Sequence, residues 1–216
     1  MLEWIIDRRN TAGPVMDQGI RPTCLSCATS AAHHYAVGVA KCIEYLHYSS
    51  RRLPTGCGSV DSVRTVLAVS GQPDESAWPY DPDSDEDEVS RLPPDPLSAP
   101  FHRADFTVDT APDSETLIGQ LRDDHLPVIG LYTTRSFVRL RSGLLIEPEP
   151  LLDGHAVLLV GAATYTGPDT GSVRHGDNLM CVQNSWGDTW GNNGYGLIGP
   201  RAWANMVILS ALLEPH

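Results

Sequence analysis

The stretch Pro14 to Tyr35, PVMDQGIRPTCLSCATSAAHHY, decides how the rest of the chain is read. Its first part, rich in Gly and Pro, reads as a loop, and the change of pattern at Cys24 reads as the start of a helix. A thiol at a helix start faces unpaired N–H groups and the positive end of the helix dipole, which favour thiolate over thiol. A thiolate attacks carbonyl carbon, so the position suits a nucleophile. Beyond it, Leu25, Ala28, Ala32, Tyr35, Val39, Cys42 and Leu46 recur at steps of three and four, which predicts one apolar stripe over about six turns. A long buried helix of that kind would hold its first residue still.

Two downstream segments extend the pattern. Gly154-His155-Ala156-Val157-Leu158-Leu159-Val160-Gly161 carries a histidine at the head of an apolar run. Asn184-Ser185-Trp186-Gly187 is followed by Trp190-Gly191-Asn192-Asn193-Gly194-Tyr195-Gly196. Together with Asp17-Gln18-Gly19 and Cys24, these segments resemble the papain-like cysteine peptidases, in the order Cys, His, Asn. Cys24 precedes His155 by 131 residues and Asn184 by 160, near the roughly 130–150 of papain-type enzymes.

The resemblance implies roles. Cys24 would be the nucleophile, His155 the general base and acid, and Asn184 the group that orients the imidazole. Gln18 would join the Cys24 backbone N–H in an oxyanion hole. Trp186 would shield the His–Asn hydrogen bond, and Gly154, Trp186 and Trp190 are expected to face substrate. Trp78-Pro79-Tyr80 resembles a recurring aromatic–proline element of the family. Leu25 and Cys27 stand where the family usually has Trp and another aromatic. Arg21 stands where it commonly has a cysteine bridged to a Gly-Cys-x-Gly-Gly segment, of which Gly56-Cys57-Gly58 survives in part. That disulfide cannot form here, which fits a reducing compartment. Met1 lies thirteen residues before Pro14, so the family's long inhibitory prosegment is not expected, and the chain resembles bacterial-type members. Control would then come from expression, a regulatory partner or inhibitor, narrow substrate preference or compartment.

Whole-chain properties agree. The 216 residues, 41% hydrophobic and 19% charged, suit a globular protein with a good core. A net charge of −12 argues against nucleic acid or anionic membrane as a partner. No signal peptide or membrane span is legible, so a cytoplasmic location is expected, with dedicated secretion left open. Five cysteines, one of them a nucleophile, do not make a disulfide framework. No metal or cofactor is expected: Cys24-x-x-Cys27 has no second pair at zinc spacing. Oxidation joining Cys24 to Cys27 stays open as a redox switch. The adjacent His33 and His34 point about 100° apart on a helix and make no obvious ligand pair.

An α+β fold with two lobes follows. A helical lobe over about 14–100 carries the nucleophile, and a β-rich, barrel-like lobe over 101–216 carries His155 and Asn184, all in one papain-like domain. The site would lie in the cleft between them. Residues 1–13 read as an extended arm, 59–70 as a helix, 81–100 as an acidic, proline-bearing surface linker, and 113–121 as a capped helix. Strands are predicted at 127–134, 154–163, 179–186 and 195–199. The function expected is peptide-bond hydrolysis through an acyl-thioester on Cys24, with a peptide or protein as substrate. Two alternatives remain open: capture of the acyl group by an amine or another acceptor (transferase, peptide cyclase or thioesterase), and a non-catalytic peptide-binding module.

Overall fold

The structure is a computed structural model that describes residues 1–51, 58–84, 91–141, 143–145 and 147–216. In chain order its elements are β1 (Leu2–Asp7), α1 (Cys24–Val37), α2 (Ile43–Ser50), α3 (Val60–Val69), β2 (Gln72–Pro73), β3 (Phe101–His102), β4 (Ala104–Asp109) and α4 (Ser114–Arg122). There follow β5 (Val128–Tyr132), α5 (Arg135–Val138), β6 (Leu144–Leu145), β7 (Gly154–Tyr165), β8 (Asn178–Gln183), β9 (Tyr195–Ile198), α6 (Pro200–Met206) and β10 (Val207–Pro215).

Most of the second half is one sheet in the order β4-β10-β5-β7-β8-β9-β6, with β1 added onto β7. All pairs are antiparallel except β6 with β9. The central strand β7 is buried from His155 to Ala163, which is why it reads as an unbroken apolar run rather than an alternating one. Its register sets His155 opposite Leu131 and Leu158 opposite Gln183. α1 packs against β7, and the apolar residues of both halves merge in one core, from Ala28 and Leu46 to Leu158 and Met206. The extended arm is the strand β1, whose partner is β7 of the other half.

Local signals place several helices. Ser59 caps α3 by accepting from the Ser62 N–H at 3.1 Å, and Asp113 caps α4 by accepting from the Thr116 N–H at 2.9 Å. The six-turn helix expected from Leu25 to Leu46 is two helices. α1 ends at Val37 because Gly38 adopts φ 75°, the left-handed conformation that closes a helix and that glycine reaches without cost, and its N–H bonds the His34 carbonyl at 2.7 Å. α2 then starts anew from Cys42, whose Sγ accepts from the Tyr45 N–H at 3.3 Å. Val39, expected on the buried stripe, is 44% exposed in the joint. Residues 91–100 form no helix or strand, as expected of a linker, while 85–90 of that segment lie outside the described residues. Gly56 and Cys57 lie outside them too. Among the described residues no helix is long and apolar enough to cross a membrane.

Candidate active site

Cys24 is the first residue of α1, half-buried at the surface of a cavity of about 200 Å³. Thr23, just before it, does not cap the helix with its side chain. The Thr23 hydroxyl instead lies 2.7 Å from the Tyr80 hydroxyl and accepts the Cys27 S–H at 3.6 Å. No acidic residue sits in the first turn. The positive end of the helix is therefore left to the thiol and to whatever binds beside it.

His155 opens onto the same cavity from β7, with Gly154 exposed beside it at the strand's start. Its Nε2 lies 2.7 Å from Asn184 Oδ1, a contact in which the imidazole N–H donates. Nδ1 is then the ring nitrogen that carries the lone pair. Asn184 Oδ1 also accepts the Ser185 N–H at 2.8 Å, and the Asn184 N–H bonds the Gly194 carbonyl at 2.9 Å. The orienting carboxamide is thus itself held at the end of β8. Burial pushes His155 down to about 4, with the Asn184 hydrogen bond opposing the shift.

Trp186 covers this pair. Its ring is half-buried, 4.5 Å from the His155 ring and tilted by 35°. Phe137, fully buried on α5, stands edge-on to both, at 6.0 Å from His155 and 5.6 Å from Trp186. Phe137 is not legible as a site residue from sequence, since only the fold brings it to the histidine. Trp190 departs from expectation. It is 3% exposed, its indole N–H donates to the Phe137 carbonyl at 2.8 Å, and its ring lies edge-on to Trp186 at 6.1 Å. It backs the aromatic cover from inside and offers no face to the cleft.

Gln18 is buried on the nucleophile loop. Its Nε2 donates to the Arg21 carbonyl at 2.7 Å, and its Oε1 accepts from Ser185 Oγ at 2.7 Å. These partners fix which end of the carboxamide is nitrogen and leave one N–H of that nitrogen for another acceptor. Backbone bonds zip this loop to the asparagine segment: the Gln18 N–H to the Ser185 carbonyl at 2.8 Å, and the Gly187 N–H to the Met16 carbonyl at 3.0 Å. Gly19 has φ 61°, and a Cβ there would sit 2.2 Å from the Pro82 carbonyl oxygen, so only glycine fits this turn.

The remaining positions resolve as follows. Cys27 is 2% exposed, and burial pushes its thiol up to about 12. A thiol held that firmly in its protonated form is a poor partner for disulfide exchange. Arg21 is 4% exposed and pairs with Glu44. His33 is buried with Nδ1 3.0 Å from Gln72 Oε1, while His34 is half-buried, so the two do not form a pair.

The sequence matches the family model described as papain family cysteine protease over residues 4–207. An uncharacterized peptidase C1-like protein of Acanthamoeba polyphaga mimivirus is 27% identical over 212 residues, which is 83% of this chain. The chain spans 62% of that relative's length. Among solved structures, procathepsin B S9 from Trypanosoma congolense superposes with a TM-score of 0.78 at 17% identity, covering 100% of this chain and 78% of its own. Xylellain, a cysteine protease from Xylella fastidiosa, gives 0.74 at 18% identity, covering 99% and 91%. A virus, a protozoan and a bacterium do not single out a bacterial type.

Proposed function

The chain belongs to the papain family of cysteine proteases, and from that premise we propose that it hydrolyses peptide bonds through an acyl-thioester on Cys24. The observation that carries the reading is the shared cavity. A helix-start thiol and an imidazole already oriented by a carboxamide open onto it together.

The Cys24 proton passes to Nδ1 of His155 as the sulfur attacks the substrate carbonyl carbon. Negative charge moves onto the carbonyl oxygen, where the Cys24 backbone N–H and the remaining N–H of Gln18 receive it. Asn184 keeps Nε2 protonated and the ring in plane through the transfer. The imidazolium then gives its proton to the leaving amine, the C–N bond breaks, and the thioester remains. Water, deprotonated by His155, attacks the thioester. The acid product departs and Cys24 regains its proton. Trp186 and Phe137 keep bulk water from the His155–Asn184 hydrogen bond, where a low dielectric strengthens it. A peptide or protein is the substrate in this reading.

The test is intact mass after incubation with a peptidyl epoxide, for wild type and Cys24→Ala, alongside cleavage of fluorogenic peptides. A single adduct and substrate cleavage in wild type alone support the reading. An unmodified, inactive wild type under reducing conditions overturns it.

A further inference from the structure

Beneath the nucleophile loop lies a buried charge cluster that the reaction does not use directly. The side chains of Arg21, Glu44 and Arg91 are 3%, 2% and 9% exposed. Arg21 grips Glu44 with both terminal nitrogens, at 2.5 and 2.8 Å, and Arg91 bonds the same carboxylate at 2.8 Å. Arg21 also donates to the Asp81 carbonyl at 2.9 Å, and its guanidinium lies 4.9 Å from the centre of the Tyr80 ring. Such a cluster gives little net stability, because desolvating the charges costs about what their attraction returns. What it does supply is fixed geometry, and the geometry leads to Gln18.

We propose that Arg21 and Tyr80 are positioning residues for the Gln18 carboxamide, with Glu44 and Arg91 holding Arg21 in place. Tyr80 donates its hydroxyl to the Gln18 carbonyl at 2.9 Å, and its own N–H is tied to Glu75 at 2.7 Å. The Arg21 backbone carbonyl receives one N–H of the Gln18 side chain at 2.7 Å. Both ends of the turn from Gln18 to Arg21 are therefore pinned from below. The remaining carboxamide N–H has one direction in which to point. The Tyr80 hydroxyl also meets Thr23, so one phenol touches Gln18 itself and the residue just before Cys24, whose N–H is the other oxyanion donor. A shift of the guanidinium or loss of the phenol hydroxyl frees this turn without touching Cys24 or His155.

The proposal rests on Gln18 serving as an oxyanion donor, and the experiment separates the two claims. Steady-state kinetics on a fluorogenic peptide are measured for Gln18→Ala, Arg21→Met, Tyr80→Phe and the doubles with Gln18→Ala. The rate of Cys24 alkylation by iodoacetamide, which needs no oxyanion hole, is measured beside them. Gln18→Ala is expected to lower kcat by roughly a hundredfold or more. Arg21→Met and Tyr80→Phe are expected to lower kcat by about tenfold, a fraction of that donor's worth, with KM within about twofold and alkylation unchanged. In the Gln18→Ala background neither is expected to cost anything further. Tyr80→Phe removes a single hydroxyl and carries the test if Arg21→Met does not fold. The positioning role fails if both single variants keep wild-type kcat while Gln18→Ala loses it. It fails equally if their losses add in full to that of Gln18→Ala, or appear in alkylation too. A Gln18→Ala enzyme with normal kcat removes the oxyanion reading, and this proposal with it.

Discussion

Gln18 and Ser185 hold each other twice: the Gln18 backbone N–H donates to the Ser185 carbonyl at 2.8 Å, and the Ser185 hydroxyl donates to the Gln18 side-chain oxygen at 2.7 Å. One residue comes from the loop before the nucleophile and the other directly follows Asn184. These two hydrogen bonds tie the loop that carries Gln18 to the segment that carries Asn184. Ser185→Ala keeps the backbone half and leaves Gln18 Oε1 buried without its donor. The expected cost is about 1–3 kcal/mol of stability, with kcat reduced several-fold and KM nearly unchanged. Urea melts read the first and initial rates the second. An unchanged kcat would detach Gln18 from catalysis.

Activity should persist into acid. Burial holds the His155 imidazole neutral down to about pH 4, so the acid limb of kcat/KM should lie well below the usual histidine value of about 6.5. Asn184→Ala removes the hydrogen bond that raises the group and should move the limb lower still, while reducing the rate. A pH–rate profile for both proteins checks this. A limb near 6.5 in the wild type would show a solvated histidine.

Stability should run the other way. His33, like His155, is pushed down to about 4 by burial, with its hydrogen bond to Gln72 opposing the shift. Above about pH 6.5 both histidines are neutral whether folded or unfolded, and contribute nothing to pH dependence. As pH falls from there, the unfolded chain takes up protons that the native state refuses. Stability is lost progressively, and the loss levels off below about pH 4. His33→Asn, which keeps a donor near Gln72, should flatten this slope between pH 6.5 and 4. Urea denaturation across the range decides it, and an unaltered slope would place the linkage elsewhere.

The thiol at Cys27 should take no part in oxidation. It is buried and held protonated by desolvation, so peroxide should inactivate wild type and Cys27→Ala at the same rate. Peptide mapping should find no Cys24–Cys27 disulfide. A mapped Cys24–Cys27 bond, or a Cys27→Ala enzyme that can no longer be rescued by thiol, would reinstate the switch.

Gly38 offers a test of the break between α1 and α2. Nothing lies within 4 Å of a Cβ built there, so Gly38→Ala introduces no clash and pays only for its left-handed backbone. The expected loss is about 1 kcal/mol, read from thermal or urea melts, and smaller for Gly38→Asn, which tolerates that conformation better.

The legible parts of this molecule are those decided within a few residues. Ser59 and Asp113 announce their helices because a cap is local chemistry. Cys24, His155, Asn184 and Gln18 stand out because their neighbours form motifs, although only the fold shows His155 meeting Asn184. The helix break was hidden in the apolar spacing, which runs on through Val39 and Cys42 although Gly38 stops the backbone. β10 escapes notice because Val207 to Leu213 is a mostly apolar run whose length and pattern also suit a buried helix. Trp190 looks like a cleft residue until Phe137 supplies the carbonyl that it serves. The partners Glu44 and Arg91 are 47 residues apart, and no local pattern joins them.

The position of β10 bears on how the protein is made. It lies between β4 and β5 in the sheet, and Ile208, Leu209 and Ala211 wall the cavity that Cys24 and His155 share. A ribosome releases the nucleophile helix first and this strand some 170 residues later, so a growing chain holds its reactive thiol, imidazole and carboxamide before it has a complete sheet to aim them with. Without residues 207–215, β4 and β5 would stand unbridged and that wall of the cavity would be missing, so the shared cavity is complete only when the end of the chain is in place.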